Sequence, residues 1–529
     1  MPNAAIDCVQ FYPILCNNTK QIEVNTGRIL QIYKKSTAAL VLFPELAICG
    51  YIPQDLLFHP HFIDAIELHA LDVVSKSGGQ ILCFGSVLRQ NGKLYNVLII
   101  CQNGKILQIC KKTHLPNNSV FSESRYFTPN TEDFIVNIFI ENTKIAFAIC
   151  EDIWHENFIK KIQNNNPHIL CVANASPYNY AKQAERYNVV KSINIPTIYC
   201  NLVGAMDGIC FDGASFASNG TTINQQAKIF EEQILPVNFA TQKTSVQNTS
   251  IEEGIYKAMI FTTKDFFAKC GFTKAVLGLS GGADSALVLK IASDALGPKN
   301  VFCYGLKSKY TSSSSIEDAL VLVQNISNKI HFEIIDIEPL YQPFVQNLGL
   351  EGLNLQNIQA RVRGAVLMAK SAQHNALVLT TGNKSEIACG YCTIYGDMCG
   401  AFNPIKDLYK TQVFAMMQWL EIFPQNILTK PPSAELSENQ KDSDNLPPYN
   451  ILDPILYCLI ELTMSVAETL EKITKKNAFA LNFNQKFNVE DITKAQKLLR
   501  LSEYKRRQSA PGPCLSPSSF EPQNWRANV

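Results

Sequence analysis

The segment GLSGGADSAL at residues 278–287 constrains the fold most, because it joins a strand to a helix through adjacent glycines. An apolar run, AVLGL, ends at Leu279, and apolar residues then recur at helical spacing at Leu289, Ala292 and Leu296. A strand that leads through a short turn into a helix is the repeating unit of parallel α/β sheets. The segment therefore predicts a layered α/β domain with a candidate ligand site at this turn.

The turn has the composition of a phosphate-binding loop. Backbone N–H groups near Gly281 and Gly282 can approach phosphate oxygens closely, and the amino terminus of the following helix adds partial positive charge. The hydroxyls of Ser280 and Ser285 can donate hydrogen bonds, and Asp284 can hold Mg²⁺ against a polyphosphate. The alternative is an ordinary turn in which the aspartate only caps the helix. Neither the Walker pattern nor the dinucleotide fingerprint fits this spacing.

Further apolar runs predict how the two halves of the chain are built. In the second half, AVLGL, VFCYGL, HFEIIDI and ALVLTTG are predicted to be buried strands of a mainly parallel sheet, with helices between them. In the first half, AALVLFP, GGQILCFGSVL, LYNVLIIC, TKIAFAIC and HILCVANAS alternate with polar or helical stretches. Both halves therefore favour α/β folds.

The length of 529 residues favours two domains, because one hydrophobic core rarely grows beyond about 250–300 residues. A polar stretch, VNFATQKTSVQNTSIE at residues 237–252, has little apolar periodicity and marks the boundary. We therefore expect domains at 1–245 and 246–529.

Four segments after the glycine turn carry a family resemblance. They are QNIQARVRG at 356–364, TTGNKSEIACGYCTIYGDMCGAFNPIKDLYK at 380–410, KPPSAELSENQKDSDNLPPY at 430–449 and EYKRRQ at 503–508. The turn resembles the pyrophosphate loop of the ATP pyrophosphatases, and the four segments in this order resemble the NAD synthetases among them. The resemblance implies a Rossmann-like parallel-sheet domain that adenylylates deamido-NAD with ATP, so that ammonia can displace AMP.

The resemblance also implies which residues contact ligands. ATP would be bound by Gly278, Leu279, Ser280, Gly281, Gly282, Ala283, Asp284, Ser285, Thr381, Lys410 and Ser433. Deamido-NAD would be bound by Asn357, Arg361, Glu386 and Lys505, and Mg²⁺ by Asp284 and Glu386. Carboxylates suit Mg²⁺, and lysine or arginine suits phosphates. Because Gln356 and Lys307 depart from the family pattern, amidation of a different carboxylate is the alternative.

Three separated segments of the first half each offer one chemical group. Glu45 lies in FPELAICGYIPQDL, Lys112 in KKTHLPNNSVFSESRYF and Cys150 in ICEDIW. Cys150 ends a predicted strand, and a helix start at Glu151 together with a nearby lysine is expected to lower the pKa of its thiol. A base, a cation and a thiol could together hydrolyse an amide. The alternative is a packing cysteine among unrelated loop charges.

These three segments, with NLVGAMDGICFDGAS at 201–215, resemble the Glu-Lys-Cys hydrolases of the nitrilase superfamily. Within it they are similar to the glutaminase domain of the NAD synthetases. The resemblance implies an α-β-β-α sandwich that cleaves glutamine through a cysteine thioester. Glutamine would be bound by Asn118, Glu123, Glu151, Ser176 and Lys182, with Glu123 also supporting the triad. Asn118 replaces a common pocket tyrosine, which motivates a third hypothesis, a non-catalytic scaffold.

Composition narrows the remaining functions. A net charge of +1 without long basic runs argues against nucleic-acid binding, and no apolar run approaches the roughly 18 residues of a membrane span. The chain begins without a secretory pattern, so we expect a cytoplasmic enzyme whose seventeen cysteines are mostly reduced. Zinc is not expected at Cys389, Cys392 and Cys399, because a fourth ligand is missing. The resemblance implies a homo-oligomer, either a dimer or an octamer.

Overall fold

A computed structural model of the chain describes residues 4–14, 19–118, 120–206, 208–239, 249–471, 479–483, 487–521 and 526. The chain divides into two compact units, Met1–Thr249 and Ser250–Val529. The boundary predicted between residues 245 and 246 lies outside the described residues. Within the described ranges, no helix has both the length and the apolar character needed to cross a membrane.

The first unit contains fourteen strands and four helices among its described residues. The strands are β1 (Ile6–Gln10), β2 (Leu40–Leu42), β3 (Ile81–Gln90), β4 (Lys93–Gln102), β5 (Lys105–Lys111), β6 (Asn137–Ile140), β7 (Thr143–Ile149), β8 (Ile169–Asn174), β9 (Thr197–Asn201), β10 (Val203–Met206), β11 (Ile209–Asp212), β12 (Phe216–Ser218), β13 (Ile223–Gln226) and β14 (Gln233–Val237). The helices are α1 (Thr19–Lys35), α2 (Pro60–Ser75), α3 (Glu156–Asn165) and α4 (Lys182–Ile193). Short 3-10 helices lie at Gln54–Phe58, Glu123–Arg125 and Cys150–Trp154.

Two six-stranded sheets form the centre of this unit. Their strand orders are β14-β1-β2-β3-β4-β5 and β13-β12-β9-β8-β7-β6, with β1-β2-β3 and β7-β8-β9 parallel. Strand β8 shows the layering: Ile169 and Cys171 belong to the core shared by the two sheets, whereas Leu170 and Val172 pack with α3 and α4. The predicted α-β-β-α sandwich is therefore confirmed.

The cysteines are part of this core. In the described part of the chain they are free thiols, and Cys8, Cys83, Cys110 and Cys171 are buried between the two sheets. They therefore serve there as small apolar side chains.

One close backbone approach positions the segment that follows β2. The N–H of Phe43 donates to Cys83 O at 2.8 Å, and the N–H of Gly85 donates to Pro44 O at 3.1 Å. A Cβ atom on Gly85 would lie 2.2 Å from the backbone N of Leu46 and 2.5 Å from Pro44 O. Only glycine lets β3 lie this close to the segment that carries Glu45.

The second unit contains four strands and twelve helices among its described residues. The strands are β15 (Ala275–Gly278), β16 (Val301–Lys307), β17 (His331–Asp336) and β18 (Leu377–Val378). The helices are α5 (Ile251–Lys269), α6 (Ala283–Leu296), α7 (Ser313–Ile326), α8 (Glu338–Leu348), α9 (Gly352–His374), α10 (Lys384–Cys389), α11 (Lys410–Leu420), α12 (Gln425–Thr429), α13 (Tyr449–Ile460), α14 (Val466–Glu471), α15 (Val489–Leu501) and α16 (Glu503–Arg506).

The sheet of the second unit is parallel, in the order β17-β16-β15-β18. Strands β15, β16 and β17 follow one another in one direction across the sheet, and β18 then lies on the opposite side of β15. The strand order therefore reverses between β15 and β18. Ligands of such sheets bind outside the carboxyl ends of the strands at this reversal. The glycine turn follows β15, and the TTGNKSE segment follows β18, so both lie at that edge.

Strand β17 differs from the buried strand that was predicted from HFEIIDI. It lies at one edge of the sheet, and four of its six residues, among them Ile334, are exposed. The apolar run shows that the strand has side chains that could be buried. The position of the strand in the sheet determines which of them are covered.

Because a Cβ on Gly85 would overlap backbone atoms, we expect Gly85→Ala to destabilise the first unit by roughly 2 kcal/mol or more. Denaturant unfolding of the full chain measures this change. Gly79→Ala is the matched control, since a Cβ there meets no atom within 4 Å, and it should shift stability by less than about 1 kcal/mol. Equal stability of the two variants would contradict the close approach.

Candidate functional site

A buried ion cluster lies where three strands of the first unit end. Glu45 follows β2, Lys112 directly follows β5, and Cys150 directly follows β7. The Lys112 Nζ donates to Glu45 Oε1 at 2.7 Å and to Glu123 Oε1 at 2.8 Å, and all three side chains are fully buried. Burial lowers the pKa of Lys112, but the charges of Glu123 and Glu45 raise it well above its usual value. The structure thus brings together Glu45, Lys112 and Glu123, which the sequence places in two separate segments.

Two further groups hold the Glu45 carboxylate. The Nδ2 of Asn96 donates to its Oε1 at 2.7 Å, and the backbone N–H of Ala175 donates to its Oε2 at 2.9 Å. Asn96 lies on β4 and Ala175 directly follows β8, so both sheets contribute. The carboxylate is therefore fixed in orientation, as a general base must be. Sequence reasoning did not single out either residue.

The thiol of Cys150 differs from its prediction. Burial and the charge of Glu45 raise the pKa of Cys150 well above its usual value, although Lys112 and the N–H of Ala175 lower it. The prediction of a lowered pKa was therefore wrong, because it counted the cation and the helix start but not the desolvation and the base. At neutral pH the resting residue is a thiol. Its φ of 45° is also in the left-handed region, a conformation that costs about 1–3 kcal/mol and clusters at functional sites.

The second carboxylate of the cluster, Glu123, is bound on one oxygen only. Its Oε1 accepts from Lys112 and, at 2.5 Å, from the hydroxyl of Tyr51, whereas its Oε2 is buried with no hydrogen-bond partner among the described residues. Burial raises the pKa of Glu123 to about 7, and Lys112 opposes the rise. An oxygen of this kind can accept a hydrogen bond from a ligand that enters the site.

Asp152 ties the turn that carries Cys150 to the segment that carries Lys112. Its Oδ1 accepts from the N–H groups of Thr113 at 2.9 Å and His114 at 2.8 Å, and its Oδ2 accepts from that of Ile149 at 3.2 Å. The side chain is buried, so these bonds replace water. In the sequence, the position of Asp152 in the ICEDIW segment was the feature that could have identified it.

The other residues predicted to bind glutamine lie in different environments. Ser176 directly follows Ala175 and is buried, and its Oγ accepts from Arg186 Nε at 3.1 Å. Lys182 lies with its Nζ 4.0 Å from the centre of the Trp154 ring, beside the Cys150 turn. Glu151 faces His155, with 3.5 Å between Oε1 and Nε2, and Asn118 is exposed. Their contacts with glutamine stay predictions.

In the second unit, the glycine turn is closed by its own hydroxyls. The Oγ of Ser285 lies 3.1 Å from that of Ser280, and the N–H of Gly282 donates to Ser280 Oγ at 3.2 Å. Gly281 has a φ of 77°, and a Cβ there would lie 2.2 Å from the carbonyl oxygen of Ser315 at the start of α7. The turn therefore needs glycine for both conformation and space.

Asp284, in the first turn of α6, belongs to a second ion cluster, which is formed around the buried Lys410. It pairs with the ammonium of Lys410, and its Oδ1 accepts from Asn383 Nδ2 at 3.0 Å. Glu386 Oε1 lies 3.8 Å from Lys410 Nζ, and Glu386 and Asn383 close a capping box at the start of α10. Burial and Asp284 raise the pKa of Glu386 well above its usual value, while Lys410 opposes the rise.

The residues predicted to bind deamido-NAD converge on the segment that follows α10. The Nζ of Lys505 donates to the carbonyl oxygens of Gly390 at 2.7 Å and Cys392 at 2.6 Å. Arg361 Nε donates to Ile394 O at 3.3 Å, and the Thr393 hydroxyl donates to Asn357 Oδ1 at 3.3 Å. These three side chains from distant parts of the sequence therefore border one short segment next to Glu386.

A polar cluster beside the glycine turn was missed. The carboxylate of Glu435 accepts from the hydroxyls of Ser315 at 2.7 Å and Ser312 at 3.1 Å, and Lys430 contacts the same serine pair and Glu435. These bonds hold the 430–435 loop on the start of α7. Ser433 lies in that loop, where its Oγ accepts from the N–H of Glu435 at 3.1 Å. Thr381 is partly exposed between β18 and α10.

The cysteines near Glu386 are free thiols, with Cys389 buried and Cys392 and Cys399 partly exposed. Within the described ranges, no three or more histidine, cysteine or acidic side chains are grouped so as to hold a metal ion by themselves.

Comparison with known families and curated proteins gives a consistent result. A carbon-nitrogen hydrolase model matches residues 8–244, and an NAD synthase model matches residues 255–509. The glutamine-dependent NAD(+) synthetase of Acinetobacter baylyi is 36% identical, with 98% of this chain and 97% of that protein covered. The enzyme of the same name from Synechocystis is 37% identical, with 93% and 92% covered.

Solved structures agree. The glutamine-dependent NAD+ synthetase of Acinetobacter baumannii, in complex with ADP, matches with a TM-score of 0.76 and 32% identity, covering 99% of this chain and all of that one. A glutamine-dependent NAD(+) synthetase from Cytophaga hutchinsonii matches the fold with a TM-score of 0.80 at 20% identity, covering 99% and 97%.

Because Lys112 neutralises two buried carboxylates, we expect Lys112→Met to destabilise the first unit by about 3–5 kcal/mol. Without the ammonium, the pKa of Glu123 rises further above its value in the unfolded chain, so the folded state binds protons more tightly. The loss in stability should therefore grow as the pH rises from about 5 to 8.

Denaturant unfolding at several pH values measures this dependence. Lys111→Met is the matched control, since Lys111 pairs with the half-exposed Glu132 at 3.0 Å, and it should cost less than about 1 kcal/mol at any of these pH values. A loss of stability in Lys112→Met that does not change with pH would contradict the conclusion that Lys112 neutralises the two buried carboxylates.

Proposed function

Since the chain belongs to the family of glutamine-dependent NAD(+) synthetases, we propose that its two units divide one reaction between them. The chain is an ATP-dependent carbon–nitrogen ligase with glutamine as the nitrogen donor. The first unit releases ammonia, and the second uses ATP to join it to the nicotinate carboxyl of deamido-NAD. The observation that carries this division is that each unit has its own ion cluster around a buried lysine, one beside a thiol and one beside a phosphate-type loop.

In the first unit, Cys150 is the nucleophile and Glu45 is the general base. The Sγ attacks the side-chain amide carbon of glutamine while its proton passes to Glu45, because the raised pKa of Cys150 leaves the resting residue as a thiol. The ammonium of Lys112 stabilises the negative oxygen of the tetrahedral intermediate. As the C–N bond breaks, Glu45 returns the proton to the departing nitrogen, and ammonia leaves a glutamyl thioester.

The second half of this cycle uses the same base. Water attacks the thioester carbonyl while Glu45 takes its proton, the C–S bond breaks, and Glu45 returns the proton to Sγ, so that glutamate is released and the Cys150 thiol is restored. The orientation of Glu45 by Asn96 and Ala175 serves both steps, since the carboxylate has to face the sulfur first and water later. Glu123 keeps Lys112 charged and offers its unpaired oxygen to the substrate.

In the second unit, the proposed chemistry makes the carboxylate a better electrophile. A carboxylate oxygen of deamido-NAD attacks the α-phosphorus of ATP, and the bond to the β-phosphate oxygen breaks, which gives an adenylate and pyrophosphate. Ammonia then adds to the adenylate carbonyl, AMP departs, and the added nitrogen loses a proton to leave the amide. The N–H groups of the glycine turn and the ammonium of Lys410 hold the phosphates, so catalysis is mainly positioning and charge stabilisation.

Asp284 and Glu386 fit the proposed Mg²⁺. They are partly buried near each other, desolvation and the charge of Asp284 raise the pKa of Glu386, and Lys410 is a cation that pairs with both. Mg²⁺ is commonly held by one or two carboxylates and completed by substrate phosphates, so a larger protein ligand set is not needed. When bound, the ion would neutralise charge on the polyphosphate.

Deamido-NAD is proposed to bind along the segment next to Glu386, which Asn357, Arg361 and Lys505 border. The alternative, a different carboxylate substrate, rests on Gln356 and Lys307, which lie at the partly exposed face of α9 and at the exposed end of β16. Pyrophosphate release measured over a panel of carboxylates separates the two.

We further propose a homo-oligomer and a reducing, cytoplasmic location. The second unit exposes apolar side chains at Ile334, Phe344, Leu348 and Leu353, which two copies could cover. The many free thiols suit a reducing compartment. Light scattering of the purified chain measures the oligomeric state.

We expect Cys150→Ala to abolish NAD formation from glutamine but to keep at least half of the rate with saturating ammonium salt, because the variant loses only the nucleophile. Product formation with each nitrogen donor is the measurement. Cys270→Ala, an exposed thiol, is the control and should keep both activities. Loss of both activities at Cys150 would contradict the division of labour. A wild type that makes NAD from ammonium but not from glutamine would support the scaffold hypothesis.

Asp284→Asn should reduce NAD formation with either nitrogen donor by at least about 100-fold, because it removes a charge next to the phosphates. Glutamine hydrolysis by the first unit, measured as glutamate release, is the internal control for intact protein. Unchanged synthesis from ammonium would contradict the nucleotide-site assignment.

A further inference from the structure

One buried carboxylate of the second unit has no part in the chemistry described above. Asp453 lies in the second turn of α13 and is fully buried. Burying an ionised carboxylate is costly unless hydrogen bonds replace its water. Its bonding partners therefore indicate what its charge stabilises.

The partners of Asp453 come from two other helices. The hydroxyl of Ser385, in α10, donates to its Oδ1 at 2.6 Å. The N–H and the hydroxyl of Thr411, in α11, both donate to its Oδ2 at 2.8 Å. One carboxylate therefore joins the first turns of α10 and α11.

These two turns carry the reactive groups. Glu386 directly follows Ser385, and Lys410 directly precedes Thr411. The N–H of Lys410 also donates to Ser385 Oγ at 3.0 Å, so Asp453, Ser385 and the backbone of Lys410 form a continuous chain of hydrogen bonds. A shift of either helix start relative to the other would change the 3.8 Å spacing of Lys410 Nζ and Glu386 Oε1.

We propose that Asp453 is a positioning residue for amide synthesis, which sets the placement of Glu386 relative to Lys410 by clamping the starts of α10 and α11. This inference rests on the proposed function of the second unit. Burial raises the pKa of Asp453 to about 6, while the bonds from Ser385 and Thr411 and the charge of Lys410 limit the rise. The carboxylate is thus mainly ionised at neutral pH and can accept all three bonds.

The test uses the full chain with ATP, deamido-NAD and saturating ammonium salt. Asp453→Asn keeps the size of the side chain but cannot accept from both helices equally well, so kcat should fall 10–100-fold, the effect expected of a displacement of about 1 Å at a reacting centre. Calorimetric binding of ADP should still give about one site per chain, which shows that the unit is folded.

The matched control is Asp294→Asn. Asp294 also joins two helices, through Tyr256 of α5 at 2.7 Å and Lys290 of α6 at 2.7 Å, but it lies near the far end of α6 from Asp284. Its kcat should stay within about twofold of the wild type. A similar fall in both variants, or a loss of ADP sites that matches the loss of kcat, would overturn the proposal.

A second measurement separates positioning from stability. In a Lys410→Arg background the spacing is already altered, so adding Asp453→Asn should reduce kcat by less than threefold, whereas an independent loss of stability would multiply the two effects. Ser385→Ala, a milder variant, should lower kcat three- to tenfold and likewise add little to Asp453→Asn. If Asp453→Asn is fully active, the positioning role of Asp453 is refuted but the proposed function is not. If the wild type is inactive on deamido-NAD, the proposed function itself is refuted.

Discussion

A lysine ammonium inside a protein has to be matched by carboxylates, and this constraint organises both units. In the first, Lys112 is fully buried between Glu45 and Glu123. In the second, Lys410 is buried against Asp284 and Glu386. A charge taken out of water without such partners would cost several kcal/mol. Neutral hydrogen-bond donors hold these carboxylates in turn. Each lysine is therefore surrounded by an ordered set of side chains.

The pairing of a buried lysine with two carboxylates has a different consequence in each unit. In the first unit, burial and the carboxylate next to the cation raise the pKa of the thiol, which favours the protonated form of Cys150. In the second, burial and the neighbouring Asp284 raise the pKa of Glu386, and the cation opposes this rise. In both clusters the carboxylates Glu45, Asp284 and Glu386 come from segments that follow strands of the parallel parts of the sheets.

Much of this was predictable. The apolar runs marked the principal strands, the glycine turn marked the loop after β15, and the quoted segments contained Glu45, Lys112, Cys150, Asp284 and Lys410. The supporting groups were missed, because Asn96 and Asp152 gain their role from bonds across 51 and about 38 residues of chain. The raised pKa of Cys150 was missed for a related reason, since desolvation depends on everything packed around the thiol and not on its neighbours in sequence.

The sequence by itself determined the kinds of groups available and the order of strand, turn and helix that carries them. Local pattern is sufficient for this, because hydrophobic period and glycine placement act over a few residues. The tertiary structure alone decided which charges share one buried space, that β17 is an exposed edge, and that Asp453 joins the helices of Glu386 and Lys410. These facts depend on distances between residues far apart in the chain, and such distances exist only once the sheets and helices have packed.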